Sequence, residues 1–218
     1  MRTSVVVGMI AATCIGTVAV AQNKLGGALA TAAAVKGLNA ETIENLQAAH
    51  NGESNASASY TAFAKKADEE GYKSVAALFR AASASEAIHA KKFAAVLKTG
   101  DVEAKATIEK PDVKTTEENL KVAIAGETKE FTEIYPKAVT AATAKGDAAA
   151  VKAFSNALTA EKKHAELYTQ AAANLLTWKD AGKTFILCPT CGYTTTGEDP
   201  LKTCPLCGVA RAKFETFK

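Results

Sequence analysis

Glu86-Ala-Ile-His89 and Glu161-Lys-Lys-His164 decide the reading of this chain, because they repeat one pattern, Glu-x-x-His, in a sequence that holds only three histidines. On an α-helix, residues three apart share a face, so each pair turns one carboxylate and one imidazole toward a common point. Mixed oxygen and nitrogen donors of this kind suit redox-capable iron. The pairs read as one metal site written twice, and the duplication reaches well beyond them. Asn45, Leu46, Ala49, Gly52 and Glu53 recur as Asn119, Leu120, Ala123, Gly126 and Glu127, an offset of 74 (119 against 45). Farther along, Phe79, Ala82, Glu86, His89 and Ala90 recur as Phe154, Ala157, Glu161, His164 and Ala165, an offset of 75 (154 against 79).

A solenoid needs at least three shorter stacked units, whereas two copies of a helical hairpin close one bundle. From about residue 40 to 175 the chain is rich in alanine, lysine and glutamate and keeps apolar residues such as Ala62, Phe63 and Ala67 at helical spacing, which predicts four helices. Gly71 and the Gly146-Asp147 pair mark tight turns inside the two halves, with Asp147 as a helix N-cap. Residues 100–114 carry Gly100 and Pro111 and predict a long crossover between helices two and three. Thr115-Thr116-Glu117-Glu118 then resembles a capping box opening the third helix. Pro136 lacks an N–H and predicts a kink or interruption just beyond Tyr135.

At the front, Thr3 to Asn23 is uncharged, mostly apolar, and contains Ala19-Val20-Ala21, a small-residue cleavage pattern. Residues 1–21 read as an export signal and 22–37 as a linker, so the mature protein is expected to be periplasmic or otherwise exported, with no stable membrane span after cleavage. An uncleaved anchor is the competing reading; lipid attachment at Cys14 is disfavoured by the poor lipobox Ala11-Ala12-Thr13. The net charge of +3, spread over lysines without a basic run, gives no reason to expect a nucleic-acid partner.

The other four cysteines stand as Cys188-Pro-Thr-Cys191 and Cys204-Pro-Leu-Cys207, each pair followed by glycine. Two such knuckles let four thiolates converge on one tetrahedral metal. Spacing leaves iron and zinc open, and two disulfides are the alternative for an exported chain.

With these residues assembled, the chain resembles the rubrerythrins over about residues 38–218. That resemblance implies a ferritin-like all-α four-helix bundle over 38–180, with the long crossover between helices 2 and 3, and a small rubredoxin-like four-cysteine metal domain over 181–218. It implies two non-haem irons held by Glu53, Glu86, His89, Glu127, Glu130, Glu161 and His164, and one iron, or zinc, held by Cys188, Cys191, Cys204 and Cys207. Glu130 and His89 would be ligands that alternate with oxidation state, and Tyr60 and Tyr135 would assist near the iron pair. His50, with no acid three residues before it, reads as structural. The implied activity is reduction of hydrogen peroxide to water in oxidative-stress defence, with re-reduction through the Fe(Cys)4 centre. An exported enzyme cannot reach the reduced nicotinamide of the cytoplasm directly, which leaves the electron donor unidentified.

If one straight helix ran from His164 to Trp178 it would span roughly 21 Å at ~1.5 Å per residue. That expectation places a chain's tail far from its own iron pair and favours a head-to-tail homodimer, as in the family. The rival functional readings are a ferroxidase or iron-handling protein, a nonenzymatic peroxide sensor, and a zinc-stabilised binding module.

Overall fold

A computed structural model describes residues 37–179 and 181–218. The expected export signal, Cys14 and nearly all of the linker lie outside the described residues. Among the described residues, no helix is long and apolar enough to cross a membrane.

The bundle opens with α1 (Ala40–Glu69), capped by the Asn39 side chain on the Glu41 amide. Gly71, at φ +81°, reverses the chain into α2 (Lys73–Thr99), and the Gly71 and Tyr72 amides close on the carbonyls of Asp68 and Ala67. Such a turn needs a left-handed residue, which glycine supplies without a Cβ penalty. The expected capping box is present: Thr115 and Glu118 bond each other's amides at the start of α3 (Thr116–Lys129). After a π-helical turn (Glu130–Ile134) come α4 (Tyr135–Lys145), a left-handed Gly146, α5 (Ala148–Ala173) and the short α6 (Leu175–Trp178). Asp147 does occupy the N-cap position of α5, but its side chain caps nothing there; it accepts a bond from the Asn39 amide instead.

The interruption near Pro136 lies on the other side of Tyr135 from the one expected. Proline cannot supply the bond to the carbonyl four residues back, and its ring crowds that carbonyl. The backbone widens ahead of it, and the Tyr135 amide bonds to Glu130, five residues back. A π turn amounts to one residue inserted into an α-helix. The repeat offset grows from 74 to 75 across this segment: Glu53 matches Glu127, but Tyr60 matches Tyr135.

The crossover runs extended along α1 and is held by amides at every fourth helical position. Gln47 bonds Glu103 and Lys105, Asn51 bonds Thr107, and Asn55 bonds Thr107 and Glu109. Four helical residues rise about 6 Å and two extended residues about 6.6 Å, so the two periods stay in step over this length.

Two apolar clusters fill the bundle. One holds Phe63, Leu78, Phe79, Tyr168, Trp178 and Phe185; the other holds Leu46, Phe93, Leu97, Tyr135 and Phe154. Trp178 and Phe185 belong to the first, and this corrects the expectation of a distant tail. α5 stops at Ala173, α6 turns the chain back, and burial of those two rings seats the tail on its own bundle. The tail forms a three-stranded antiparallel sheet, β1 (Phe185–Leu187) between β2 (Thr194–Thr196) and β3 (Glu215–Phe217). Arg80 of α2 fastens it by bonding both Asp68 and the Lys218 carbonyl.

Candidate metal centres

α2 and α5 bring their Glu-x-x-His pairs together in the middle of the bundle, while α1 and α3 each add one carboxylate. Two overlapping groups result: Glu53, Glu86, His89 and Glu161, and Glu86, Glu127, Glu161 and His164, with ligand atoms within 4.8 Å of one another. Glu86 and Glu161 belong to both, the position of bridging carboxylates. All these side chains are buried, at 2% exposure or less.

Among the described residues, the four carboxylates form ion pairs with the two imidazoles and with no lysine or arginine. His164 Nδ1 lies 2.9 Å from Glu161 and 3.1 Å from Glu86, and His89 Nδ1 lies 3.0 Å from each of the same two carboxylates. Yet both oxygens of Glu161 and both ring nitrogens of His164 make no hydrogen bond, because the groups aim past one another. Convergent, misaligned donors fit ions between them. Charge fits as well: four carboxylates in a dry site carry −4, and two divalent ions neutralise it, where leaving such charge uncompensated is prohibitive.

The titration of the metal-free groups follows from this crowding. Burial opposes charge on His89, but Glu161 and Glu86 raise it to about 10. Burial and then Glu86 raise Glu127 to about 8. Burial pushes Glu161 upward too, yet His89 and His164 hold it down at about 2. In the metal-free site charged imidazoles therefore offset part of the carboxylate charge, and metal binding must displace their protons.

The two tyrosines cross between the halves. Tyr60 donates to Glu127 Oε1 at 2.7 Å, and Tyr135 donates to Glu53 Oε1. In both carboxylates the other oxygen, Oε2, has no hydrogen-bond partner. Each phenol thus fixes one oxygen and leaves the second for the centre. Burial, then the adjacent carboxylate, raises both phenol pKa values, which keeps them donors.

Glu130 sits on the π turn, half-buried and outside both groups of four, while His89 is inside one. Burial and the charges of Glu127, Glu161 and Glu86 raise its pKa, so it feels the site at close range. His50 bonds the Ala90 carbonyl at 2.9 Å and joins neither group. Lys162 is exposed and Lys163 pairs with Glu166. Sequence reasoning passed over Tyr168, which is fully buried with an unpartnered hydroxyl, its ring 5.5 Å from that of Tyr60. Its signal was its place one helical turn after His164.

In the tail all four cysteines are free, with Cys188 to Cys207 and Cys191 to Cys204 sulfur distances of 3.4 Å. That is far outside disulfide length of about 2 Å. The thiols converge as one four-cysteine group. Gly192 and Gly208, both at positive φ, close the two knuckles by bonding the Cys188 and Cys204 carbonyls. Burial raises Cys188 to about 11, whereas Cys207, the exposed one, is lowered by the Val209 amide despite its partial burial.

The two centres touch through α2. His89 has its Nδ1 in the carboxylate site and its Nε2 3.2 Å from the Cys191 carbonyl. One turn earlier, Ser85 donates to the Gly192 carbonyl at 2.6 Å, and Ser74 accepts from the Lys183 amide at 3.1 Å. Sequence reasoning also missed Ser85, which carries no motif.

The rubrerythrin family profile matches residues 44–172, and the profile of the rubrerythrin rubredoxin-like domain matches residues 187–215. Nigerythrin of Nitratidesulfovibrio vulgaris is 42% identical over 177 residues, covering 81% of this chain and 86% of the relative. Rubrerythrin of Porphyromonas gingivalis is 33% identical, covering 82% and 90%. The structure of fully reduced, all-ferrous nigerythrin superposes with a TM-score of 0.74 at 37% identity, covering 86% of this chain and 91% of that one.

Proposed function

The chain belongs to the rubrerythrin family, with its di-iron site and rubredoxin-like four-cysteine site, and on that premise we propose that it reduces hydrogen peroxide to water and is re-reduced through its own tail. The supporting observation is His89, which reaches the carboxylate site with one ring nitrogen and the Cys191 carbonyl with the other. When bound, a ferrous pair supplies both electrons that cleavage of an O–O bond requires.

The residues would hold that pair in two overlapping groups: Glu53 and His89 would serve one ion, Glu127 and His164 the other, and Glu86 and Glu161 are within reach of both. Tyr60 and Tyr135 hold the terminal carboxylates in place by donating their single O–H groups to Glu127 and Glu53. Aromatic walls on both sides exclude water, which strengthens each of these interactions. Glu130, beside the site on the π turn, would be the ligand that alternates with His89 when iron is bound. Cys191 and His89 carry electrons from the tail one at a time within a single chain, so a dimer is not needed for the transfer.

The reading of residues 1–21 as an export signal adds that the reaction runs outside the cytoplasm, with a donor other than cytoplasmic nicotinamide. The head-to-tail dimer remains part of the proposal only as an assembly. Mixed dimers of one tail-less and one ligand-mutated subunit should be inactive if electrons stay within a chain; restored activity would show transfer between subunits. The central test is anaerobic stopped-flow mixing of the reduced, iron-loaded protein with hydrogen peroxide and with dioxygen, following the Fe(Cys)4 visible band. Fast oxidation by peroxide and slow oxidation by dioxygen supports the proposal. Faster reaction with dioxygen returns the ferroxidase reading.

A further inference from the structure

A groove of about 340 Å³ runs where α2 and α5 meet the tail, and residues of both metal centres line it. His89 and Cys191 line its buried part, at 2% and 4% exposure, and Cys207 lines its exposed part. The two cysteine knuckles thus face different ways. Cys191 is turned to the bundle, its carbonyl 3.2 Å from His89 Nε2, and Cys207 is the one cysteine of the four that solvent reaches. An electron arriving from outside the chain meets the four-cysteine centre most directly at that sulfur.

The rest of the lining defines what can approach it. Apart from His89 and the two cysteines, its ionisable side chains are Lys92 of α2 and Lys152 of α5, both exposed, and it holds no carboxylate. Among the described residues neither lysine forms an ion pair, whereas Lys121 and Lys163 each find an acid on their own helix. The sequence denies the two lysines such partners. Three and four residues to either side stand Ile88, His89, Ala95 and Val96 around Lys92, and Ala148, Ala149, Ser155 and Asn156 around Lys152. Residues 87–99 and 148–160, which border the groove, hold four lysines and no acidic residue. The next acid along the chain, Asp147, accepts a bond from the Asn39 amide. Phe93, buried, and Val96, half-buried, add apolar surface. Ala95, Thr99, Ala149 and Thr190 are exposed as well, so the groove is too open to enclose a small ligand, which pockets bury by about 70–90%. Apolar surface with a charged rim is the make-up of a protein interface, and a rim of one sign selects a partner of the other.

We propose that this groove is the docking face for an acidic one-electron carrier protein, whose carboxylates pair with Lys92 and Lys152 and whose redox group is brought to Cys207. The assignment rests on the peroxide-reducing reading above and names the kind of donor that serves it. Each encounter passes one electron from the reduced carrier to the ferric four-cysteine centre, which leaves the carrier oxidised by one electron and the centre ferrous. No bond is made or broken in this step. Two encounters restore the two electrons that one peroxide consumes. Attraction between the rim and the carrier raises the rate of productive encounter and weakens as salt screens it.

The test uses the full-length, iron-loaded protein with both centres oxidised. It is mixed anaerobically with reduced flavodoxin, an acidic one-electron carrier that serves as the probe, and separately with the methyl viologen radical cation, and bleaching of the Fe(Cys)4 band is followed. The expected flavodoxin rate falls as salt is added and falls about tenfold or more in the double variant Lys92→Glu, Lys152→Glu, while the viologen rate does not fall. The double variant Lys92→Gln, Lys152→Gln removes charge without reversing it and should lose less. A readout independent of turnover is carbodiimide cross-linking of oxidised flavodoxin to the oxidised holoprotein, which should join its carboxylates to Lys92 and Lys152. A flavodoxin rate unchanged in both variants overturns the inference, and so do cross-links that avoid both lysines. Equal slowing with the two donors places the defect in the centre itself and overturns it too. The peroxidase reading fails separately: chemically reduced protein that peroxide does not oxidise overturns that reading, while reduction that still depends on the two lysines upholds the docking face.

Discussion

Gly192→Ala isolates the contact between the two centres. Gly192 sits at φ +84°, where a residue with a Cβ costs about 1–2 kcal/mol. The added methyl would collide first with His89 Nε2 and then meet Ser85 Oγ at 2.8 Å and His89 Cδ2 at 2.9 Å, where ordinary contact begins near 3.4 Å. The knuckle must therefore retreat by more than 0.6 Å (3.4 − 2.8), which stretches the 3.2 Å contact of His89 with Cys191 past 3.8 Å (3.2 + 0.6), beyond hydrogen-bond range. Loss of the Ser85 bond to Gly192 adds about 1 kcal/mol, for a total of roughly 2–3 kcal/mol. In a chain of this size that lowers the melting temperature by roughly 5–10 °C. Scanning calorimetry on the iron-loaded protein measures the first effect. Stopped-flow oxidation of the reduced protein measures the second, as a delay between oxidation at the di-iron site and bleaching or recovery of the Fe(Cys)4 band. A variant that loads both centres, melts like the parent and shows no delay would refute the idea that this contact couples them.

Asn51→Ala removes the acceptor for the Thr107 amide, so exchange at Thr107 should accelerate by an amount matching about 1 kcal/mol while the α2 core stays protected; unaltered exchange would mean the crossover holds itself. Glu70, which accepts from the Thr116 amide at 2.9 Å, has its pKa lowered from 4.5 chiefly by that bond, so it stabilises the fold above about pH 4.5 and loses this contribution as pH falls through the lowered value. The stability gap between parent and Glu70→Gln should accordingly be constant at neutral pH and shrink in acid; a gap that widens in acid denaturation curves reverses the sign. His89 and Glu127, at about 10 and about 8, both hold protons at pH 7 in the metal-free site, so anaerobic ferrous titration in weak buffer should release protons and ferrous affinity should rise with pH. Affinity independent of pH between 6 and 9 would show that the metal-free site is already ionised.

The elements legible in the sequence are those set by local periods. Glu86 with His89, Glu161 with His164, and the paired cysteine knuckles depend on three-residue spacing, which helix and turn geometry convert directly into convergence. Thr115 with Glu118, and the glycines at 71 and 146, are equally local. The tail's position was not legible by that route. Nothing stronger than Asn174 marks the end of α5, and whether the chain continues or reverses depends on Trp178 and Phe185 finding a place in a core built by residues a hundred positions earlier. The row Gln47, Asn51 and Asn55 is regular, yet polar residues four apart on a helix usually face solvent; only a strand of matching rise laid beside them gives the row a purpose.

The π turn was written in the sequence in a form that local reasoning does not catch. Glu53 to Tyr60 is seven residues and Glu127 to Tyr135 is eight, although the two tyrosines end in equivalent places, each on the other half's carboxylate. An inserted residue that leaves both ends in register must be absorbed between them, and a helix absorbs one residue as a π turn. The consequence is asymmetry in a site whose buried ligands are otherwise paired. At an offset of 74, Glu130 answers to Ala56, which packs against the apolar core of the first half, whereas Glu130 feels the charges of Glu127, Glu161 and Glu86. Duplication supplied two equal sets of ligands, and the half with the extra residue carries a further carboxylate, Glu130, beside them.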